Sequence, residues 1–215
     1  MAGHFDFQPE YRRNLPHIQP EGATFFITAR LAGSLPWAVI ERLQEERRLR
    51  RQAVERMDCP QAEKWAMLYD EDRRYFGRYD RLLDGATEGP VWLSDPRVAG
   101  LVCEQFSRYD DQAYELLAYC IMPNHIHLVF TPQPRADGHY HALAWIMQRL
   151  KGGTAFKANA ILGRRGAFWH HESYDHYARD GRELERIVAY VLNNPVKAGL
   201  AESWEEWPWT YWKYA

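Results

Sequence analysis

Met122-Pro123-Asn124-His125-Ile126-His127-Leu128-Val129-Phe130 reads as a tight turn feeding a strand that carries two histidines one residue apart. Strand side chains alternate faces, so His125 and His127 share one face while Ile126, Leu128 and Phe130 share the other. The three apolar residues anchor the strand in a core. The two imidazoles, about 7 Å apart along the strand, can converge on one divalent cation. A half-exposed strand with two incidental histidines has the same local pattern, because short motifs recur by chance.

Pro123-Asn124 turns the chain, so Leu116–Met122 and the histidine strand are expected to pair as an antiparallel hairpin. Thr24-Phe25-Phe26-Ile27-Thr28-Ala29-Arg30, rich in aromatic and β-branched residues, is the expected first strand. Asp95-Pro96 combines an N-cap with proline at the first helical position, opening a helix to about Tyr109. From Pro36 to about Leu83 the pattern is helical and highly charged. Glu41 to Arg51 mixes both signs at i,i+4 spacings, and a second helix from about Pro60 spaces Trp65, Leu68, Tyr75, Tyr79 and Leu82 at near-helical intervals. These two helices read either as a hairpin inserted after the first strand or as surface helices of the main domain.

Farther along, a helix over about His141–Ala158 has the apolar stripe Leu143, Ile146, Met147 and Leu150. Gln148, Lys151 and Thr154 lie off that stripe, and Gly152-Gly153 permits close backbone approach. Lys151 and Thr154 are candidate phosphate contacts, and are equally ordinary as exposed helix residues. Phe168–His171 reads as a strand and Tyr174–Tyr177 as the approach to the next helix. Residues 1–23, broken by Pro9, Pro16 and Pro20, read as an extended arm. Its Arg12-Arg13 pair suits phosphate contact or simple solubility.

Bulk properties narrow the classes. The 215 residues suit one domain, and 46% apolar with 26% charged residues is an ordinary globular composition. A net charge of −2 means that any nucleic-acid binding uses a local basic patch, not a global field. The 9 Trp, 13 Tyr and 9 Phe can stack on bases or simply pack. Cys59, Cys103 and Cys120 form no CxxC pair, which argues against a zinc ribbon or disulfide framework and for reduced thiols. No apolar run reaches membrane-spanning length and the N-terminus has no signal-peptide pattern, so a soluble, cytoplasmic protein with no membrane partner is expected.

A last helix opens at Asp180 or Gly181 and runs to Pro195, with Leu184, Ile187, Val188, Val191 and Leu192 facing the core. Tyr190 falls just outside this stripe and Asn194 lies one turn later. Pro195 disfavours helical geometry at Asn194, so the helix should end there and free the amide to turn inward. Two imidazoles and an amide oxygen can hold a cation, and a tyrosine beside it can attack a phosphodiester. Spacing alone favours the plainer role for Tyr190, a helix-edge aromatic covering the core.

The motifs together resemble a known family. Pro123-Asn-His-Ile-His-Leu-Val129 looks like the HUH motif (histidine, bulky hydrophobic, histidine) of single-tyrosine transposases. Ser173-Tyr174-Asp175-His176, Arg179-Asp180 and Tyr190-Val-Leu-Asn-Asn-Pro-Val-Lys-Ala-Gly-Leu200 resemble the C-terminal half of REP-associated tyrosine transposases. The resemblance implies an α+β fold, a ferredoxin-like or RRM-like antiparallel sheet with packed helices (the HUH endonuclease fold). It implies one such domain over residues 1–215, with residues 36–90 departing from the family core as a helical insertion. His125, His127 and Asn194 would be the metal ligands, for Mg²⁺ or Mn²⁺. Tyr190 would be the nucleophile, forming a 5′-phosphotyrosine and releasing a 3′-hydroxyl on single-stranded, hairpin-forming DNA. Arg12, Arg13, Lys151, Thr154, Arg179 and Lys197 are the expected DNA contacts. Relatives include monomers and dimers, which leaves the oligomeric state open.

Two other readings stand beside the transposase. A domesticated hairpin-binding protein would bind without cutting, although a pure binder needs none of the four site residues. A metal phosphodiesterase would cut with an activated water and leave Tyr190 structural.

Overall fold

The computed structural model describes residues 10–12, 16–18 and 20–215. In chain order the elements are β1 (Glu10–Arg12), β2 (Pro16–Ile18), β3 (Phe25–Arg30), α1 (Trp37–Glu55), α2 (Gln61–Asp84), α3 (Pro96–Arg108), β4 (Tyr114–Ile121), β5 (His125–Pro132), α4 (Leu143–Ile161), β6 (Tyr174–Tyr177), α5 (Gly181–Leu192), α6 (Asn194–Lys197) and β7 (Thr210–Trp212). The chain divides into two compact units, residues 1–32 with 91–215, and residues 33–90. No helix among the described residues is long and apolar enough to cross a membrane.

The first unit is built on a fully antiparallel five-stranded sheet in the order β6-β3-β5-β4-β7. Without β7 this is the β-α-β-β-α-β arrangement of ferredoxin-like folds, the α+β class expected from the sequence. The β4–β5 hairpin forms as expected, with the Met122 N–H donating to the His125 carbonyl across Pro123-Asn124 at 2.9 Å. Alternation sorts each strand between two faces. Phe25, Ile27 and Ala29 of β3 and Ile126, Leu128 and Phe130 of β5 enter one core with Val98, Val102 and Phe106 of α3 and Leu143, Ile146 and Leu150 of α4. Burial of one such side chain contributes roughly 1.5–3 kcal/mol. A one-residue slip would turn the whole set outward, so this core pins the register. The other face displays Phe26, Thr28 and Arg30 opposite Val129, His127 and His125.

Local signals explain most boundaries. The Asp95 carboxylate accepts from the Arg97 N–H at 2.9 Å and Pro96 occupies the first helical position, as the sequence predicts for α3. The β6 assignment differs from expectation, because Tyr174–Tyr177 forms the edge strand on β3 while Phe168–His171 makes a single bridge, Trp169 to Leu31. The Lys151 ammonium takes the His170 and His171 carbonyls at 2.5 and 2.9 Å, which removes them from any ladder. At the opposite edge Tyr211 of β7 stacks on Tyr119, and the Trp207 indole N–H donates to the Ile121 carbonyl. Part of the aromatic excess is therefore packing.

The second unit consists of α1 and α2 joined by a short turn. Its charges neutralise one another internally: Arg47 and Arg51 pair with Asp72 at 2.6 and 3.0 Å, Arg78 with Glu46 at 2.6 Å, and Arg50 with Glu71. The Arg47 guanidinium also lies over the Tyr75 ring.

Candidate active site

The face of the sheet turned away from the α3/α4 core carries the histidine pair, both members fully buried. Their Nε2 atoms lie 3.0 Å apart. The other nitrogen of each ring is held from outside. His125 Nδ1 is 2.6 Å from Asn124 Oδ1, an oxygen that can only accept, so this nitrogen carries the proton and Nε2 carries the lone pair. His127 Nδ1 is 2.8 Å from the Thr28 hydroxyl, which can donate or accept. Outer-shell partners of this kind set ring orientation and tautomer in metal sites. Two ligands at about 2.1 Å from an octahedral ion, at a right angle, stand about 3.0 Å apart. The observed spacing matches.

The turn that presents the pair is tied down on both sides, since the Asn124 carbonyl accepts from Leu31 N–H at 2.9 Å and that of Pro123 from Leu93 N–H at 3.2 Å. Just before Leu31, at the end of β3, the Arg30 carbonyl accepts from the His170 N–H. Burial, with the nearby Arg30 charge, pushes the His170 imidazole down to about 4.

Helix α5 lies over this face and brings Tyr190 to it. The Tyr190 ring meets His127 edge-on at 5.6 Å between centroids and Phe26 at 6.0 Å. Lys197 Nζ lies 5.6 Å from the centroid of the same ring. At its start α5 is capped by Asp180, whose carboxylate accepts from the Glu183 N–H at 2.8 Å. The buried Glu183 carboxylate in turn accepts from the Arg179 backbone N–H and side-chain Nε at 3.0 and 3.1 Å, and faces His176 Nε2 at 3.0 Å. This knot ties the helix to β6, about 10 Å of helix before Tyr190.

Asn194 departs from expectation in its backbone but not in its burial. α5 ends at Leu192, and Asn194 then begins the short α6 with Pro195 in its first turn. Proline is tolerated there because first-turn N–H groups have no intrahelical partner. The Asn194 side chain is fully buried, and neither its oxygen nor its nitrogen has a hydrogen-bond partner among the described residues. Such an amide costs about 1–3 kcal/mol unless something binds it. An amide oxygen and imidazole nitrogens are donors of the kind that a hard or borderline divalent ion accepts.

The expected DNA contacts divide. Lys197 is exposed beside Tyr190, and the Arg179 side chain is 46% exposed next to Glu183. Lys151 is committed to the 170–173 segment, donating also to Ser173 Oγ. Thr154 is buried, donates to the Leu150 carbonyl and accepts from the Trp169 indole N–H at 2.7 Å, so it presents no hydroxyl to a ligand. It extends the buried stripe of α4 by one turn beyond Leu150. Arg12 lies in β1, where only the backbone is described, and Arg13 falls outside the described residues. Sequence reasoning missed Thr28, Phe26 and Glu183. The parity of Thr28 with Phe26 and Arg30 was the available signal, but its pairing with His127 depends on register.

Residues 98–194 match the family model described as Transposase IS200 like. A provisionally named REP-associated tyrosine transposase of Haemophilus influenzae is 28% identical over 102 residues, which cover 45% of this chain and 58% of the relative. The chain thus spans little more than half the length of that relative. The solved structure of a REP-associated tyrosine transposase bound to a REP hairpin aligns with 94% of this chain and 81% of its own, at 17% identity and a TM-score of 0.48. The matched segment contains His125, His127, Tyr190 and Asn194.

Proposed function

We propose that this chain, which carries an IS200-like transposase segment over residues 98–194, nicks single-stranded, hairpin-forming DNA and transfers the strand through a 5′-phosphotyrosine. The observation that carries the reading is Tyr190, its ring set 5.6 Å from that of His127, one of two buried histidines whose Nε2 atoms converge at 3.0 Å. His125, His127 and Asn194 would hold Mg²⁺ or Mn²⁺. Such an ion supplies charge neutralisation at the phosphodiester, which otherwise repels nucleophiles.

The protein's own groups do the rest. Thr28 and Asn124 hold the imidazoles in the ligating orientation, and Phe26 keeps the Tyr190 ring edge-on. The Tyr190 oxygen forms the new bond to phosphorus as the bond from phosphorus to the 3′ oxygen breaks, and that oxygen leaves as a 3′-hydroxyl with a proton. The phenol proton is lost in the same exchange. The phosphotyrosine ester conserves the bond, so a 3′-hydroxyl can later attack it and rejoin the strand without a nucleotide cofactor. Lys197 and Arg179 would meet backbone phosphates flanking the cut. The partner is therefore DNA, with Mn²⁺ or Mg²⁺ as cofactor.

The test is incubation of hairpin DNA bearing an unpaired arm with the protein and Mn²⁺, followed by denaturing electrophoresis. A covalent protein–DNA adduct is expected, absent from Tyr190→Phe and after chelation. An adduct that survives in Tyr190→Phe overturns the assignment of the nucleophile. Cut product with no adduct would establish hydrolysis by water instead.

A further inference from the structure

Helix α5 is held to the sheet unevenly. Of its twelve residues only Glu183, Val191 and Leu192 are buried, while Leu184, Ile187 and Val188 are half-buried. Over its first two turns the one fully sunk side chain is therefore an acid. A carboxylate in such a place needs hydrogen-bond partners, and the fold supplies three donors. Oε2 accepts from the Arg179 backbone N–H at 3.0 Å and from its Nε at 3.1 Å, and Oε1 accepts from His176 Nε2 at 3.0 Å. Val191 and Leu192 fix the far end by apolar packing, which is non-directional. The bonds at Glu183 are directional, so they set both the rotation of the near end and its place along the axis.

Tyr190 follows Glu183 by seven residues, close to two full turns and about 10 Å along the helix, so the two side chains lie on one face. Their partners on the sheet are neighbours as well. His176 of β6 stands opposite Phe26 of β3 in the antiparallel register. The Phe26 ring meets Tyr190 edge-on at 6.0 Å and stacks on His127 at 5.6 Å. The contacts form a closed circuit: from Glu183 to His176, across the ladder to Phe26, up to Tyr190 and back along α5. Closed at both ends of a two-turn segment, the circuit leaves the phenol one position over the histidine pair. Opened at Glu183, the segment is held by packing at its C-terminal end and is free to turn about it.

We propose that Glu183, acting through His176, is a positioning residue for the nucleophile: it sets where the Tyr190 hydroxyl stands relative to the histidine pair. This rests on the strand-transfer reading, in which Tyr190 attacks the phosphodiester. The knot itself touches no reacting atom. Its effect falls on the fraction of bound complexes in which the phenol is in attacking position, hence on kcat and not on KM. A displacement of about 1 Å at a nucleophile costs on the order of a hundredfold in rate. A plain capping role for Glu183 would show only in stability.

The experiment replaces Tyr190 by meta-fluorotyrosine in the full chain and reads its fluorine NMR resonance without metal or DNA. Alongside it, Mn²⁺-dependent adduct formation on hairpin DNA is timed for the unlabelled proteins. Glu183→Ala, His176→Leu and His176→Gln are compared with wild type, with melting curves to fix a temperature at which all are folded. Expected for Glu183→Ala and His176→Leu is a resonance moved toward that of free fluorotyrosine, and a kcat lower by about 10–100-fold with KM for DNA unchanged. His176→Gln, whose amide N–H still donates to Oε1, is expected to keep the wild-type resonance and most of kcat. If Glu183→Ala does not fold, His176→Leu carries the test, because the acid there keeps both Arg179 bonds. A wild-type resonance and kcat in the disruptive variants, with only the melting temperature lowered, overturn the proposal and leave Glu183 a helix cap. So do a raised KM at wild-type kcat, which would make the knot a substrate contact, and an equal loss in His176→Gln and His176→Leu. Absence of any adduct from the wild type counts against the strand-transfer reading, and the fluorine comparison then decides alone whether Glu183 places the ring.

Discussion

Asn194→Leu separates a cation ligand from a buried accident. The native amide is fully buried with both polar atoms unpartnered among the described residues. Leucine has a similar volume and no polar atom, so the substitution removes an uncompensated desolvation cost of about 1–3 kcal/mol. For a chain of this size each kcal/mol moves the melting temperature by roughly 2–4 °C. The metal-free variant is therefore expected to melt about 2–12 °C above wild type, a rare case of stabilisation by a substitution at a candidate active site. Saturating Mn²⁺ should act oppositely on the pair. At a hundredfold excess over its dissociation constant a ligand stabilises the native state by about 2.7 kcal/mol, which the wild type should register and the variant should largely lose. The assay is differential scanning fluorimetry with and without Mn²⁺, alongside adduct formation on hairpin DNA. An undiminished Mn²⁺ shift in Asn194→Leu would refute the ligand role. A fall in metal-free stability of more than about 2 kcal/mol would refute the claim that the amide is unsatisfied.

Three further outcomes follow from particular contacts. Thr28→Val keeps the shape but removes the hydroxyl 2.8 Å from His127 Nδ1; Mn²⁺ affinity, measured by titration calorimetry, should fall about 10–100-fold, and the metal-free protein should lose about 1–3 kcal/mol with the buried hydrogen bond. Gly153→Ala would drive a Cβ into the Gln105 side-chain amide, which itself donates to the Arg149 carbonyl; the overpacking should cost about 1–3 kcal/mol in denaturant unfolding, and a neutral result would mean that α3 and α4 pack more loosely than described. His170, held down to about 4, stays neutral in the native state while the unfolded chain takes up its proton near pH 6.5. Stability should therefore fall as pH drops from about 6.5 to about 4, with a slope below the full 1.4 kcal/mol per pH unit because the ring is only half-buried. His170→Gln should flatten that dependence, read as melting temperature against pH.

What was legible in the sequence was what is local and periodic. The alternation around His125 and His127 placed the hairpin and its two faces, Asp95-Pro96 placed the start of α3, and the stripe Leu184 to Leu192 oriented α5 with Tyr190 at its edge. Polar partnerships across the fold were not legible. Lys151 looks exposed on α4, yet it donates to carbonyls 19 and 20 residues away. Thr154 looks polar and outward, yet Trp169 claims its hydroxyl. Phe168–His171 has the stronger strand composition, but β3 pairs with Tyr174–Tyr177. The same division runs through the candidate site. A two-histidine motif can name ligands, but whether those imidazoles can ligate depends on which nitrogen is protonated. For His125 that is decided by Asn124, next in sequence, while the orientation of His127 is set by Thr28, 99 residues away. The motif therefore needs the β3–β5 register to become a site: a one-residue slip would place Ile27 or Ala29 opposite His127 and leave its Nδ1 without the hydroxyl. Register is held by the apolar face of the same two strands, so the α3/α4 core, which touches no substrate, is what aligns the chemistry on the other side of the sheet.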